Sequence, residues 1–343
     1  MAEPGRRWLV FNGDADGICA AHQLRLAGLV PDRLVTGVKR DIALLDRVQA
    51  LPGDSVTVAD ISLDANRAAL EALLRAGIPV TWFDHHYAGD LPVGDGLVAH
   101  IDTGPDTCSS LIVDASLGGR FRAWAVVAAF GDNLHAPAGR AADLLALTPD
   151  EIGRLRELGE LMNYNAYGES EADLHVKPAH LHARISPFAD PFDFMRSDGF
   201  VARLRDGFAQ DMALAQAVTP LTSGAYHSLV RLPDQPWARR VNGVFANALA
   251  RSAPQRAHAV AVDGAAGLTI SVRAPADRPF GADALCRRFP QGGGRGRAAG
   301  INRLPQAQFA AFEIAFRDAY GSAPPNGGNQ NYGSAQPDGG NQN

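Results

Sequence analysis

The chain has 343 residues, a length that suggests about two domains, and 46% of them are hydrophobic, enough for cores of ordinary size. Its 32 basic residues against 37 acidic ones leave a net charge of −5, which argues against a strongly basic wrapper of long nucleic acid but leaves room for a local basic pocket. Cys19, Cys108 and Cys286 are too few and too scattered for a disulfide framework, and no apolar run approaches the roughly 20 residues of a membrane span or the apolar core of a signal peptide. The protein reads as soluble and cytoplasmic, with no membrane partner.

Residues 7–11 (RWLVF) read as a buried strand and 18–28 as a helix closed by glycine. A second strand is expected over 34–38, and the leucines of 41–50 recur at helical spacing. Strands at 56–60 and 79–84 bracket a helix over 64–76, closed by Gly77. A strand at 97–102 then precedes two helical runs, 107–117 and 121–130. Strands alternating with long connections predict a parallel sheet covered on both faces. From 144 to 212 the pattern is mainly helical, and a β-rich region begins near 225, passes through HAVAVDG and LTISVRA, and ends in a helix around 306–319. The expected fold class is therefore α/β. A parallel-sheet domain spans 1–143, a helical extension and connector 144–223, and a smaller α/β domain 224–322. The Gly/Asn/Gln-rich stretch 323–343, in which GGNQN occurs twice, reads as a disordered tail.

The chemistry lies where strands end. The first strand runs into Asn12-Gly13-Asp14-Ala15-Asp16-Gly17, the third ends at Asp60, and the fourth ends at Asp84-His85-His86. In a parallel sheet these ends share one edge, where ligands bind. Asp132, in the polar triplet Gly131-Asp132-Asn133 after AWAVVAAF, is a further contributor. Carboxylates so close together repel by several kcal/mol at an effective dielectric of about 20, and a divalent cation removes that repulsion. Acids with one or two imidazoles and no thiolate suit Mn²⁺ or Mg²⁺ and argue against a structural zinc. The opening Asn12-x-Asp14-x-Asp16-Gly17 imitates a calcium loop, but its twelfth residue is Gln23 and a strand precedes it. Thr107-Cys108-Ser109-Ser110 opens a helix whose N–H groups either face the metal edge or are simply capped.

A second constellation is Gly292-Gly293-Gly294-Arg295-Gly296-Arg297, with Arg273 at the end of LTISVRA. Glycines admit close backbone approach, and arginine forks match phosphate oxygens, so this reads as a phosphate or carboxylate clamp on a loop. His175, His180 and His182 read as surface or substrate-cap residues, and Cys19 and Cys108 as small buried residues near helix starts.

Together these motifs resemble the DHH phosphoesterase family, named for the triplet present here as Asp84-His85-His86. The region with SVRA and GGGRGRAAG resembles the DHHA1 domain that accompanies it in nanoRNases, RecJ-type exonucleases and cyclic-dinucleotide phosphodiesterases. The resemblance covers about residues 7–135 and 225–305. It implies a two-metal hydrolase, usually with Mn²⁺, working at a cleft between the two domains. Asp14 and Asp60 would hold one ion, with Asn12 as a weak ligand where the family usually has histidine. Asp16, Asp60, His85 and Asp132 would hold the other, Asp60 bridging, and His86 would act at the substrate phosphate. Arg273, Arg295, Arg297 and the loop Gly292, Gly293, Gly294 would grip the substrate, with Arg295 standing where the motif usually continues with histidine. The expected activity is metal-dependent hydrolysis of a phosphoester in a short oligonucleotide, a dinucleotide or a 3′,5′-bisphosphate, and long duplex nucleic acid is not an expected partner. The alternatives are a nucleotide-binding or sensor protein on the same scaffold and a pyrophosphatase or polyphosphatase. The resemblance also leaves room for a homodimer.

Overall fold

Short apolar runs become strands, and the amphipathic segments between them become crossovers. In the computed structural model, which describes residues 5–197 and 199–322, the chain begins with β1 (Arg7–Phe11), α1 (Ala15–Leu26), β2 (Arg33–Thr36) and a 3₁₀ turn (Leu44–Arg47). It continues through β3 (Ser55–Ala59), α2 (Arg67–Arg75), β4 (Val80–Asp84) and β5 (Leu97–Ile101). Every pairing in this sheet is parallel, in the order β2-β1-β3-β4-β5. The direction of winding reverses between β1 and β3, and in open α/β sheets ligands bind beyond the strand ends at such a switch point. Trp8 and Val10 of β1 join a core with Val58, Trp82, Leu70 and Leu73 on the α2 side. Leu9 and Phe11 alternate to the other face and are equally buried. Both faces are covered, so the strands read as continuous apolar runs.

The helices α3 (Ser109–Ser116), α4 (Arg122–Gly131), α5 (His135–Asp143), α6 (Pro149–Ala166), α7 (Pro178–Ile185), α8 (Pro191–Ser197) and α9 (Phe200–Gln216) follow. A capping box between Thr148 and Glu151, with Pro149 in the first turn, starts α6. The helix α4 packs against both α1 and α6, and two glycines make the approach close. A Cβ on Gly159 would lie 2.1 Å from the Val127 carbonyl oxygen, and one on Gly131 would lie 2.5 Å from the Ala15 Cβ. The helix expected over 41–50 is only the 3₁₀ turn, because Asn66 takes over its backbone groups. Asn66 Oδ1 accepts from Leu45 N at 3.1 Å, and its Nδ2 donates to Ile42 O at 2.6 Å.

Two compact units emerge. The first runs through Thr219 and includes Arg231–Phe245 and Val262–Ala265; the second comprises Pro220–Val230, Ala246–Ala261 and the chain from Ala266 onward. The remaining elements are β6 (Thr222–Ser223), β7 (His227–Leu232), α10 (Pro236–Ser252), β8 (Ala257–Val262), β9 (Leu268–Arg273), α11 (Ala282–Cys286), β10 (Gly292–Arg295), β11 (Ala298–Leu304) and α12 (Phe309–Tyr320). They form a second sheet in the order β10-β11-β9-β8-β7-β6. The glycine segment is therefore a strand of a hairpin and not the expected loop. Gly292 is required there because a Cβ would lie 1.8 Å from the Cys286 carbonyl oxygen, and Gly294 because its φ is +131°. The expected tail, 323–343, lies outside the described residues.

Candidate active site

The site is built from backbone turns that follow strands. Asp14 caps α1, its Oδ1 accepting from the N–H groups of Asp16 and Gly17 at 3.0 Å each. Gly17 lets the helix start tightly, since a Cβ would lie 2.2 Å from the Asn12 carbonyl oxygen. The Asp16 carboxylate turns to the start of α3 and accepts from Ser109 N and Ser110 N, both at 2.8 Å. The helix opening at Thr107–Ser110 thus faces the acidic edge by capping one of its acids, with negative charge at the positive end of the helix dipole. Cys19 and Cys108 are buried beside these turns.

Asp60 follows β3 with φ +60°, the left-handed region that a side chain disfavours. Its N–H donates to Phe83 O at 2.9 Å, and Ser109 Oγ donates to its Oδ1 at 2.9 Å. At the end of α4, Asp132 completes the ring. His85 Nε2 lies 3.5 Å from Asp132 Oδ2, 3.6 Å from Asp60 Oδ1 and 4.0 Å from Asp16 Oδ2. His86 leans the other way, its Nδ1 donating to Asp84 Oδ1 at 2.7 Å. Asp84 is fully buried, and its Oδ2 has no hydrogen-bond partner among the described residues. Asp84 thus orients His86, a role that the spacing Asp-x-His after a strand could have signalled.

Burial, together with the charges of Asp16, Asp14, Asp132 and Asp84, pushes the Asp60 carboxyl well above its ordinary range. Burial likewise raises Asp132, with Lys39 pulling against it. The hydrogen bond to Asp84 raises His86 above the usual imidazole value, so its imidazolium persists to higher pH. Donor atoms of Asp16, His85 and Asp132 lie within 4.8 Å of one another, as do those of Asp60, His85 and His86. Oxygen donors with imidazole and no thiolate form a set suited to a hard divalent cation, and such an ion would offset the crowding at Asp60.

The other expected donor set has different partners. Asn12 Oδ1 accepts from Asp14 N, and Asn12 Nδ2 donates to Lys39 O, each at 3.1 Å. Lys39 Nζ pairs with Asp14 Oδ2, with Asp132 Oδ1 at 3.3 Å and with Asn163 Oδ1 at 3.2 Å. Burial alone would raise Asp14, but the Lys39 charge and hydrogen bonds hold it down at about 2. Sequence reasoning missed Lys39 and Asn163. Lys39 follows β2 at the same sheet edge, so extending the strand-end argument to β2 would have found it.

In the second unit, Arg273 and Arg295 both pair across the sheet with Ala298, so they share a face with Gly293 and Gly300. Arg273 Nε donates to Asn247 Oδ1 at 2.6 Å, while Arg295 and Arg297 are exposed. The three histidines expected on the surface divide. His182 is buried on the inner face of α7, 5.1 Å from the Phe11 ring, and is no surface residue. His175 Nε2 bonds Tyr164 Oη at 2.7 Å, and His180 is exposed.

No protein-family model and no curated protein matches the sequence. Solved structures do match. An exonuclease RecJ bound to manganese superposes with a TM-score of 0.61 at 19% identity, over 94% of this chain and 91% of that one. RecJ from Thermus thermophilus in complex with Mn²⁺ gives 0.58 at 17% identity over 92% of this chain, which spans 52% of that longer protein. The pGpG-specific phosphodiesterase PggH from Vibrio cholerae gives 0.50 at 14% identity, over 92% of this chain and 98% of that one. The chain has the DHH-family fold. Among the described residues no helix is long and apolar enough to cross a membrane.

Proposed function

We propose that the protein is a divalent-metal-dependent phosphoesterase that hydrolyses a small nucleotide: a short oligonucleotide, a cyclic or linear dinucleotide, or a 3′,5′-bisphosphate. The observation that carries this reading is the meeting of Asp16, Asp60, His85 and Asp132 at the switch point of a parallel sheet, beside a histidine already oriented by a buried aspartate. Mn²⁺ or Mg²⁺ held by Asp16, Asp60, His85 and Asp132 would lower the pKa of a water molecule and offset phosphate charge. The chain does the rest. With Nδ1 committed to Asp84, His86 keeps Nε2–H for a phosphate oxygen or for the leaving oxygen as its bond to phosphorus breaks. The raised pKa keeps that proton in place near neutral pH. Ser109 and the start of α3 hold Asp60 and Asp16 in position without movement. The arginine-flanked glycine face around Arg273 and Arg295 suits a nucleotide phosphate.

A small substrate is favoured over a long strand by the net charge of −5 and by the low aromatic content of 7%, since strand-tracking proteins use basic grooves and stacking rings. The fold likeness to a pGpG-specific phosphodiesterase over 98% of its length supports the same choice. The test is product release from a 5′-phosphorylated dinucleotide, a longer single strand, a 3′,5′-bisphosphate, a cyclic dinucleotide and pyrophosphate, with Mn²⁺, Mg²⁺ or chelator. Metal-dependent cleavage of one small nucleotide is expected, and cleavage of pyrophosphate alone would replace the nucleotide reading with a pyrophosphatase. A second reading, a nucleotide-binding protein with little turnover, draws on the ammonium already seated on Asp14. It requires tight binding of a panel member without cleavage in saturating Mn²⁺.

A further inference from the structure

Asn12 stands where the family resemblance leads one to expect an imidazole, and its hydrogen bonds point to a different task. Through its Oδ1 and Nδ2 it ties the loop after β1 to the backbone carbonyl of Lys39. On the other side the Lys39 N–H donates to Ala166 O, at the end of α6, at 3.0 Å. The backbone of Lys39 is therefore held at both its donor and its acceptor. The two loops touch closely, since a Cβ on Gly13 would lie 1.9 Å from the Gly37 carbonyl oxygen. From this anchor the side chain runs into the acids. An ammonium has three N–H donors, and three oxygens receive them, from Asp14, Asp132 and Asn163. The Tyr167 ring, its centroid 5.8 Å from Nζ, adds a cation–π contact.

We propose that the Lys39 ammonium takes the place of one of the two cations the resemblance implies, so that the site binds a single divalent ion on Asp16, Asp60, His85 and Asp132. The inference rests on the hydrolase reading above. Asp14 is then the counter-ion of the lysine: one of its oxygens faces the ammonium and the other accepts two backbone N–H groups. A second divalent ion would have to approach Asp14 against a positive charge whose backbone is clamped. Asn12 is a positioning residue for that charge and not a ligand. A covalently attached cation also has a consequence that a bound ion lacks: a chelator cannot remove it.

The test is a Mn²⁺ titration of the full-length protein, counting bound ions by equilibrium dialysis and reading low-temperature electron paramagnetic resonance for coupling between neighbouring ions. One ion per chain with an uncoupled spectrum is expected. Lys39→Met should bind two ions and show spin coupling, whereas Lys39→Arg, which keeps the charge, should stay at one; circular dichroism checks that both variants fold. Two coupled ions in the unaltered protein would overturn the inference and leave the hydrolase reading standing. A count of one in both the unaltered protein and folded Lys39→Met would also overturn it, since the lysine would not then be what excludes the second ion. No bound ion at all would overturn both. The count on the unaltered protein decides even where a variant fails to fold.

Discussion

Asp14, Asp16 and Asp60, at the edge of the first unit's sheet, are at most 3% exposed, whereas Arg295 and Arg297, on the hairpin of the second unit, stand open to solvent. Buried like charges need built-in partners, and the first unit supplies them: N–H groups of α3 for Asp16, a serine hydroxyl for Asp60, an ammonium for Asp14. Such a site is stiff before anything binds. The arginines of the second unit are shaped by the ligand they meet and carry less stored structure. The contrast teaches where chemistry and where recognition are to be sought: the braced acids set the rate, and the open arginines set the affinity.

The largest effect should come from the braced side. Asp60→Ala removes the carboxylate nearest both His85 and Ser109, and activity should fall by roughly a thousandfold or more, the scale of losing a preorganised electrostatic partner. A near-normal turnover rate in that variant would break the comparison. His86→Ala should cost about a hundredfold or more in kcat as a lost proton donor. Asp84→Asn should cost about tenfold to a hundredfold and lower the upper limb of the pH–rate profile, because the hydrogen bond that raises the imidazole is weakened. An unchanged profile would mean that Asp84 does not act through His86. On the open side, Arg273→Ala should raise KM about tenfold and leave kcat nearly constant. A kcat effect as large as that of His86→Ala would erase the distinction between the two regions.

Buried histidines away from the acids extend the contrast to stability. Burial holds His22 down at about 3 and His182 at about 4. Below the ordinary imidazole value of 6.5 the unfolded chain takes up protons that the folded chain refuses, so stability falls as pH drops from 6.5 toward those folded values. Each histidine should contribute about 2–3 kcal/mol of loss between pH 6.5 and 4.5, read from urea unfolding midpoints. His182→Gln should flatten that slope, and an equally steep decline in the variant would place the acid sensitivity elsewhere.

Acids placed at the ends of apolar runs made the edge of the first sheet readable in the sequence, because parallel strands bring their carboxyl ends together whatever their order. Strand order itself was not readable, and with it went the switch point between β1 and β3. Lys39 was hidden because its role depends on a meeting between the loop after β2 and the far end of α6, more than a hundred residues away in the chain. The β10 strand was hidden because glycines carry no alternation, so its pairing with β11 rests on backbone hydrogen bonds and the room that missing side chains leave. The helix α10 did carry a signal, with Val241, Phe245 and Leu249 recurring at helical spacing after Pro236, but a reading led by the flanking strands passes over it.

The most direct test of the central claim is the initial rate of 5′-phosphorylated dinucleotide hydrolysis by the unaltered protein and Asp60→Ala, each in Mn²⁺ and in excess chelator. Cleavage by the unaltered protein that vanishes both with chelator and with the substitution is the predicted result. A rate that survives in folded Asp60→Ala or in chelator would contradict a metal-dependent centre at the acidic edge of the sheet.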